Sequence, residues 1–447
     1  MDQRKCQAVQ YYRTYLASFV QFVRVSSSNV VFLYSTHFTM ETTQKRGIEY
    51  DLASDKRQKH EKEADFRNNY SGFSLQREVN DIKPEILVEQ ATIQSKTLFE
   101  QYISKRRPCV MEGLPPLVNG KPLEISTKDL LDINATVQVE KRLSKDQPFG
   151  QNRTTALQVE MSIQDFVQQL ETNSGEYLYL TTQDTGEDTP FQNPCKELLK
   201  NGMIDATLPF SGNLILHSVN LWLGKSQNGA SSGLHHDYHD NFYLLLKGKK
   251  SFRMYSPDTA PYMYTHGEID CIHENGRISY VGSEARADGA PLDSDDDDDD
   301  DDDESDEDEV VLGKGFDYKD EDDEGDENEF GENDEKDDFD DIMDKEESSR
   351  GENQQKPESF SRINLGSSTD DKCFPLFKNC REVTVELNAG QCIYVPAGWF
   401  HEVTSFGKEG DKTKTHMALN YWYHPPDAED FAYPYKDDFW KKQGQLN

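Results

Sequence analysis

Apolar positions along this chain repeat with two different periods. From Ser162, Ile163, Phe166, Val167 and Leu170 fall at the i, i+3, i+4, i+7 spacing of one helical face. Ser162 and Asp165 stand where a capping box would start that helix. A second helical region is expected over about Lys83 to Arg107, with apolar positions at Leu87, Leu98, Phe99, Tyr102 and Ile103, ending before Pro108 because the residue ahead of a proline avoids helical geometry. After these the pattern changes to short apolar or alternating runs: 177–180, 214–223, 241–246, 251–255, 383–387, 391–395 and 417–423. Turns at Lys247-Gly248-Lys249, Asn388-Ala389-Gly390 and Pro396-Ala397-Gly398 separate several of them. Many short strands after a helical beginning predict a mainly β fold, a small barrel or two-sheet sandwich with helices outside.

Charge interrupts the strand series without adding to it. Between Asp293 and Glu347 there are 34 acidic residues against four lysines, a net of −30 out of the chain's −36, and Asp295 to Asp303 are nine consecutive aspartates. Self-repulsion and a lack of apolar residues predict disorder there. The rest carries only −6, an ordinary mildly acidic globular protein. A long flexible insertion costs little folding free energy, since loop-closure entropy grows with the logarithm of length. The expected organisation is therefore an amino-terminal extension over 1–80, poorly ordered, with an amphipathic stretch at Tyr11–Val25; a helical first part and opening strands over 81–260; an insertion over 261–358; closing strands over 359–426; and a tail over 427–447 that could dock on the barrel or on a second subunit.

Seven cysteines, sparse and without paired Cys-x-x-Cys spacing, point to free thiols in a reducing compartment rather than a disulfide scaffold or zinc finger. No run of eighteen apolar residues predicts a membrane span, and no signal-peptide layout opens the chain, so nucleus or cytoplasm is the expected location.

The candidate chemistry lies in Leu234-His235-His236-Asp237-Tyr238-His239-Asp240-Asn241. Period two places His235 and Asp237 on one face of an extended chain and His236 on the other. A third ligand is offered by His401, beyond the rigid turn of Tyr394-Val395-Pro396-Ala397-Gly398-Trp399-Phe400. Two imidazoles and one carboxylate on one face leave further positions of a metal open, the donor set of non-haem iron(II) oxygenases, whereas structural zinc sites close all four positions and favour thiolates.

This ordered combination resembles the JmjC-type 2-oxoglutarate oxygenases of the cupin superfamily, over roughly Pro108 to Pro425 without the acidic insertion. His235-x-Asp237 with distant His401 is similar to that family's iron triad. The strings Asp240-Asn241-Phe242 through Gly248-Lys249-Lys250 and Gly390-Gln391-Cys392 through Phe400-His401 are similar to the segments around it. The resemblance implies a double-stranded β-helix core, Fe(II) with 2-oxoglutarate and O2 as cosubstrates, and a 2-oxoglutarate carboxylate held by Lys250. It also implies cosubstrate contacts from Tyr179, Ser232, Asn220, Asn241 and Asn420. A buried carboxylate needs such a cation and such donors to offset its desolvation. His236 and His239 are expected at the rim or behind the ligands, and Trp399 and Phe400 as packing for the turn.

The implied activity is hydroxylation of an amino-acid side chain in a protein or peptide, with succinate and carbon dioxide as coproducts. A demethylase acting on N-methyl-lysine by the same oxidation and a non-enzymatic cupin-fold interaction module are the alternatives. Attraction of a basic substrate, protection from aggregation and mimicry of nucleic acid at a basic partner fit the polyanion equally, and it disfavours direct nucleic-acid binding, for which no basic stripe is present. Oligomeric state is not legible.

Overall fold

Eight antiparallel strands form two facing sheets. They are β1 (Leu216–Lys225), β2 (Ala230–Ser231), β3 (Asp240–Lys247), β4 (Lys249–Tyr255), β5 (Val383–Asn388), β6 (Gln391–Val395), β7 (Phe400–Phe406) and β8 (Thr415–Tyr423). One sheet runs β6-β3-β8-β1 and the other β5-β4-β7-β2, so the chain changes sheet at every step except from β4 to β5, the double-stranded β-helix of cupins. In this computed structural model the described residues are 66–77, 87–142, 158–172, 177–181, 189–292, 356–366 and 373–446, all within one compact unit, Phe66–Asn447. The expected disorder at 293–347 and the amphipathic stretch at Tyr11–Val25 lie outside them.

The larger sheet extends to nine strands. Leu87–Gln90 and Cys109–Glu112 add beyond β6, and Tyr177–Leu180, Thr136–Arg142 and Gln158–Ser162 add beyond β1. Its outer face carries the main core: Val219, Leu221 and Leu223 of β1, Met417, Leu419 and Tyr421 of β8, and Phe242 and Leu244 of β3 pack with Phe99, Phe166 and Leu170 from the helices. Alternate residues of the same strands therefore face the space between the sheets. On the side of β3, β4, β5 and β6 this space is apolar, filled by Leu245, Phe252, Met254, Val385, Leu387 and Ile393.

Helix α1 (Ile163–Glu171) begins where the sequence predicts. Ser162 Oγ accepts the Asp165 N–H at 3.0 Å, and Ile163, Phe166, Val167 and Leu170 are its buried face. The helix expected over Lys83–Arg107 is corrected. Leu87–Gln90 is a strand paired in parallel with Cys109–Glu112, and among the described residues of that span helical turns occupy only Ser95–Leu98 and Phe99–Ile103. A short apolar run fits either period, and here the exposed sheet edge supplies backbone partners that a solitary helical turn could not. His401 also sits differently: it lies inside β7, a strand the apolar pattern does not reveal, because Phe400-His401-Glu402-Val403-Thr404-Ser405-Phe406 is largely polar.

Segments the sequence places outside the core pack on it. Tyr70 and Leu75 are buried, Arg67–Asn68 pairs with Cys271–Ile272, and Ile269–Ile272 pairs with Ile278–Tyr280 in a separate three-stranded sheet. The tail docks on its own chain: Tyr435 donates to the His424 carbonyl at 2.9 Å and accepts the Ile215 N–H at 3.0 Å. Six cysteines among the described residues are free thiols, and no helix among those residues is long and apolar enough to cross a membrane.

Candidate metal centre

His235 and His401 exchange both backbone hydrogen bonds, His235 N–H to His401 O at 3.0 Å and His401 N–H to His235 O at 2.7 Å. Directly opposed residues of an antiparallel pair send their side chains to the same face. The imidazole centroids accordingly lie 4.5 Å apart. Each ring is held by its own local carbonyl, His235 Nδ1 by Gly233 O at 3.0 Å and His401 Nδ1 by Trp399 O at 2.8 Å. A carbonyl can only accept, so Nδ1 carries the proton and Nε2 keeps a lone pair for a ligand.

Asp237 faces both lone pairs, its oxygens 3.9 Å from His235 Nε2 and 3.7 Å from His401 Nε2. These separations are too long for hydrogen bonds, so three acceptor atoms converge on a common point. Asn241 Nδ2 donates to Asp237 Oδ2 at 3.3 Å and sets the carboxylate's orientation. His235 and Asp237 retain 15% and 17% of their side-chain surface while His401 retains 4%, so the face opens on the His235–Asp237 side. Phe360 stacks on His235 with ring centroids 4.8 Å apart.

The turn that aims His401 is braced from behind. Asp240, fully buried, forms an ion pair with Arg106 and accepts from Tyr394 Oη at 2.7 Å and from the Ala397 N–H at 2.9 Å. The Gly398 N–H donates to Asp237 O at 2.9 Å. Gly398 has φ +75°, and a Cβ there would lie 1.8 Å from the Gly276 carbonyl oxygen, so only glycine fits. Trp399 is buried, stacks on Phe73 and donates to Arg106 O at 3.2 Å.

A chain of amides leads inward. Asn420 Nδ2 donates to Asn241 Oδ1 at 3.3 Å, and Trp222 Nε1 donates to Asn420 Oδ1 at 2.9 Å. Asn220 lies in register with Asn420, buried, its Nδ2 donating to Ser218 Oγ at 3.3 Å rather than to this chain. Ser232 spends its hydroxyl on the backbone, donating to Gly233 O at 2.9 Å and accepting the Val403 N–H at 3.0 Å, so it shapes the ligand loop instead of presenting an unused donor.

Lys250 is 1% exposed and points between the sheets, whereas Lys249 turns outward to Glu386 at 3.1 Å. Its ammonium donates to Ser405 Oγ at 2.6 Å and lies 3.5 Å from Tyr179 Oη. Burial pushes the Lys250 pKa down to about 7 and raises that of Tyr179. His416 closes the same end, edge-on to Tyr179 at 5.7 Å, with both ring nitrogens buried and without a hydrogen-bond partner. A buried cation and an unsatisfied imidazole in one pocket call for an anionic ligand.

Ser405, His416 and Trp222 are absent from the candidates read in the sequence. Each has the parity of a recognised residue: Ser405 follows His401 by four, His416 precedes Asn420 by four, and Trp222 follows Asn220 by two. His236 points the other way, its Nε2 within 2.7 Å of Tyr280 Oη, and burial pushes its pKa down to about 3.

A cupin-like domain family model matches residues 94–429. The chain belongs to the cupin-like JmjC family. It is 30% identical to JmjC domain-containing protein 4 of Schizosaccharomyces pombe, over 85% of this chain and 92% of that protein. It is 21% identical to JmjC domain-containing protein E of Dictyostelium discoideum, over 75% and 83% of the two chains. A JmjC cupin domain points to an oxygenase of the iron and 2-oxoglutarate type, and the His235–Asp237–His401 donor set fits a metal of that kind.

Proposed function

We propose that this JmjC protein is an iron(II)- and 2-oxoglutarate-dependent dioxygenase that hydroxylates an amino-acid side chain in a basic protein or peptide. One arrangement carries the reading: an open two-histidine, one-carboxylate face and a buried lysine share the interior between the two sheets. Lys250 pairs with Ser405 and Met254 with His401, so the two groups are four residues apart in register, ~13 Å of strand. Side chains reaching inward from both ends leave a span suited to a short dicarboxylate.

His235, Asp237 and His401 would hold the iron, which with 2-oxoglutarate and O2 supplies oxidation of an unactivated C–H bond, giving succinate, carbon dioxide and the hydroxylated product. The protein's own contribution is placement. Gly233 and Trp399 carbonyls fix the ligand tautomers, and Asn241 fixes the carboxylate. Lys250, Ser405 and Tyr179 offer a cation and hydroxyls for the distal carboxylate of the cosubstrate. The apolar cluster alongside them, with Leu387 directly opposite Lys250, keeps water away from that ion pair, which strengthens it.

Support for a basic substrate comes from where the acidic stretch rejoins the fold. Ser361 donates to Leu234 O at 2.8 Å and His236 to Ser359 O at 3.3 Å, so the chain returning from a segment of net −30 is bonded to the ligand strand itself. Lys356 is only five residues from Ser361, within about 18 Å of extended chain. Long-range attraction then concentrates cationic partners at the open side of the metal face.

The test is a proteomic comparison of cells carrying the wild type with cells carrying His235→Ala. The expected difference is loss of a single-oxygen gain on a side chain within a lysine- or arginine-rich peptide. Accumulation of a methylated lysine in the variant, without any oxygen-containing site being lost, would replace this reading with demethylation.

A further inference from the structure

A second histidine cluster lies outside the iron face. His217, His239 and His424 each offer a ring nitrogen within 4.8 Å of the others. Three neighbouring strands of the larger sheet deliver them at one end, in the order β3-β8-β1. His239 immediately precedes β3 and His424 immediately follows β8. His217 occupies a β-bulge in β1: Trp422 pairs with Ser218 but Tyr423 pairs with Leu216, leaving His217 as the extra residue. A bulge re-aims one side chain at the cost of ladder regularity, and such irregularities concentrate where the side chain has a task.

The cluster has an unmet demand. His424 is 6% exposed, and its Nδ1 is buried without a hydrogen-bond partner. Its backbone is pinned on both sides, N–H to Ile215 O at 3.0 Å and carbonyl to Tyr435 Oη at 2.9 Å, and its ring is stacked on Trp440 at 3.5 Å. His217 and His239 stack on each other at 3.7 Å and stand nearly perpendicular to His424, at 76° and 74°. Carboxylates and thiolates are absent from the group.

We infer that His217, His239 and His424 form a second metal site, taking a borderline divalent transition ion of the zinc(II) class through three imidazole nitrogens and a water. Imidazole-only donors suit zinc, copper and nickel and not magnesium or calcium, which require oxygen ligands. Three protein ligands leave the fourth tetrahedral position to solvent, on the side where His217 is exposed. His217, exposed and carried on the bulge, is the ring whose rotation out of the stack brings its nitrogen onto the ion, exchanging its present contacts for the metal. Binding ties the end of β8, from which the tail departs, to β1 and to the segment carrying Asp237. His239 also stacks on Trp422, which meets Trp222 edge-on at 6.4 Å, and Trp222 holds Asn420. The site therefore braces the rim of the iron face.

The experiment uses the full chain carrying His235→Ala and His401→Ala, which removes two ligands of the iron face. The protein is stripped with chelator, loaded with zinc(II), and gel-filtered to shed ions loosely held by the acidic segment. Metal analysis is expected to find about one zinc per chain, and X-ray absorption an imidazole-nitrogen shell at about 2.0–2.1 Å. Adding His217→Ala is expected to lower the content to roughly a tenth of that, with an unchanged far-ultraviolet circular dichroism spectrum. In the otherwise unaltered chain, loaded the same way, His217→Ala should lower the content from about two zinc ions to about one. Zinc content below roughly a tenth per chain in the parent variant, or content unaffected by His217→Ala in both backgrounds, would overturn the proposal. The cluster would then be a packing stack that holds the tail.

Discussion

The two faces of the larger sheet are built from the same strands and differ in almost everything else. On β1 and β8 the outward residues are Val219, Leu221, Leu223, Met417, Leu419 and Tyr421, nearly all apolar and packed under helices. The inward residues of those strands include Asn220, Trp222, His416 and Asn420, β3 of the same sheet adds Asn241, and the facing sheet turns Lys250, His401 and Ser405 toward them. A sandwich interior built only for stability would repeat the outer face. The space between the sheets instead buries an imidazole from this face and a lysine from the facing sheet without counter-ions, groups whose desolvation opposes folding. Stability resides mainly outside and chemistry inside, and the strand pleat keeps the two apart one residue at a time.

The comparison breaks most visibly if one residue is changed on each face. His235→Ala should lower turnover by roughly three orders of magnitude while the melting temperature moves by only about 1–3 °C, because a ligand at the open rim contributes little to packing. Steady-state kinetics beside a thermal melt reads both. Leu221→Ala, on the outer face of β1 and fully buried, should do the opposite, costing about 2–5 kcal/mol of stability. Its kcat, corrected for the folded fraction in a urea titration, should stay within about twofold of wild type.

A finer distinction separates groups within the inner face. Lys250→Met keeps the shape but loses a charge-assisted contact worth about 1.5–3 kcal/mol, so KM for 2-oxoglutarate should rise about 10–100-fold while iron affinity is unchanged. Asn241→Ala should show the converse, weakening iron about 10–100-fold through the loosened Asp237 carboxylate with a smaller effect on the cosubstrate. Metal titration by calorimetry alongside cosubstrate kinetics would show whether the two effects separate.

The smallest effect is in pH. Lys250 is lowered from 10.5 to about 7 by burial, with Tyr179, Ser405, His416 and Tyr243 around it. Between pH 7 and 10.5 the unfolded chain binds this proton and the folded chain does not, so the ligand-free protein gains stability from this group as pH rises through that window. Below pH 7 both states hold the proton and the contribution is flat. Binding of a dicarboxylate needs the charged form, so 2-oxoglutarate affinity of the free enzyme should fall as pH rises above about 7. Lys250→Met should flatten both profiles.

Much of this was legible in the residues, and the illegible parts have physical causes. Seven runs identified by apolar pattern are strands with ends shifted by two residues or fewer, because each buries at least one apolar face. β7 escapes the apolar pattern because its inward residues include His401 and Ser405, which erase the alternation that would reveal it. The strand at Leu87–Gln90 reads as helix in the sequence because four residues cannot distinguish periods of 2 and 3.6, and its pairing partner comes from 22 residues away. Within the site, the three metal-facing residues and Lys250 stand out by spacing and by resemblance. Ser232 and Asn220 fit the same resemblance, yet the structure engages them with their local neighbours. His416 and Trp222 required knowing which parity faces inward. The bulge at His217 has no sequence signature, since an extra residue shows only against its partner strand.

The most direct test of the division between the faces is a metal-dependent turnover assay on the purified full chain. With a basic peptide library as acceptor, the inner-face account predicts succinate formed from 2-oxoglutarate only when iron(II) is present. Turnover should stop on chelation and return when iron is restored. Failure of the iron-loaded, folded protein to produce any succinate above the level of its Asp237→Ala variant would contradict it.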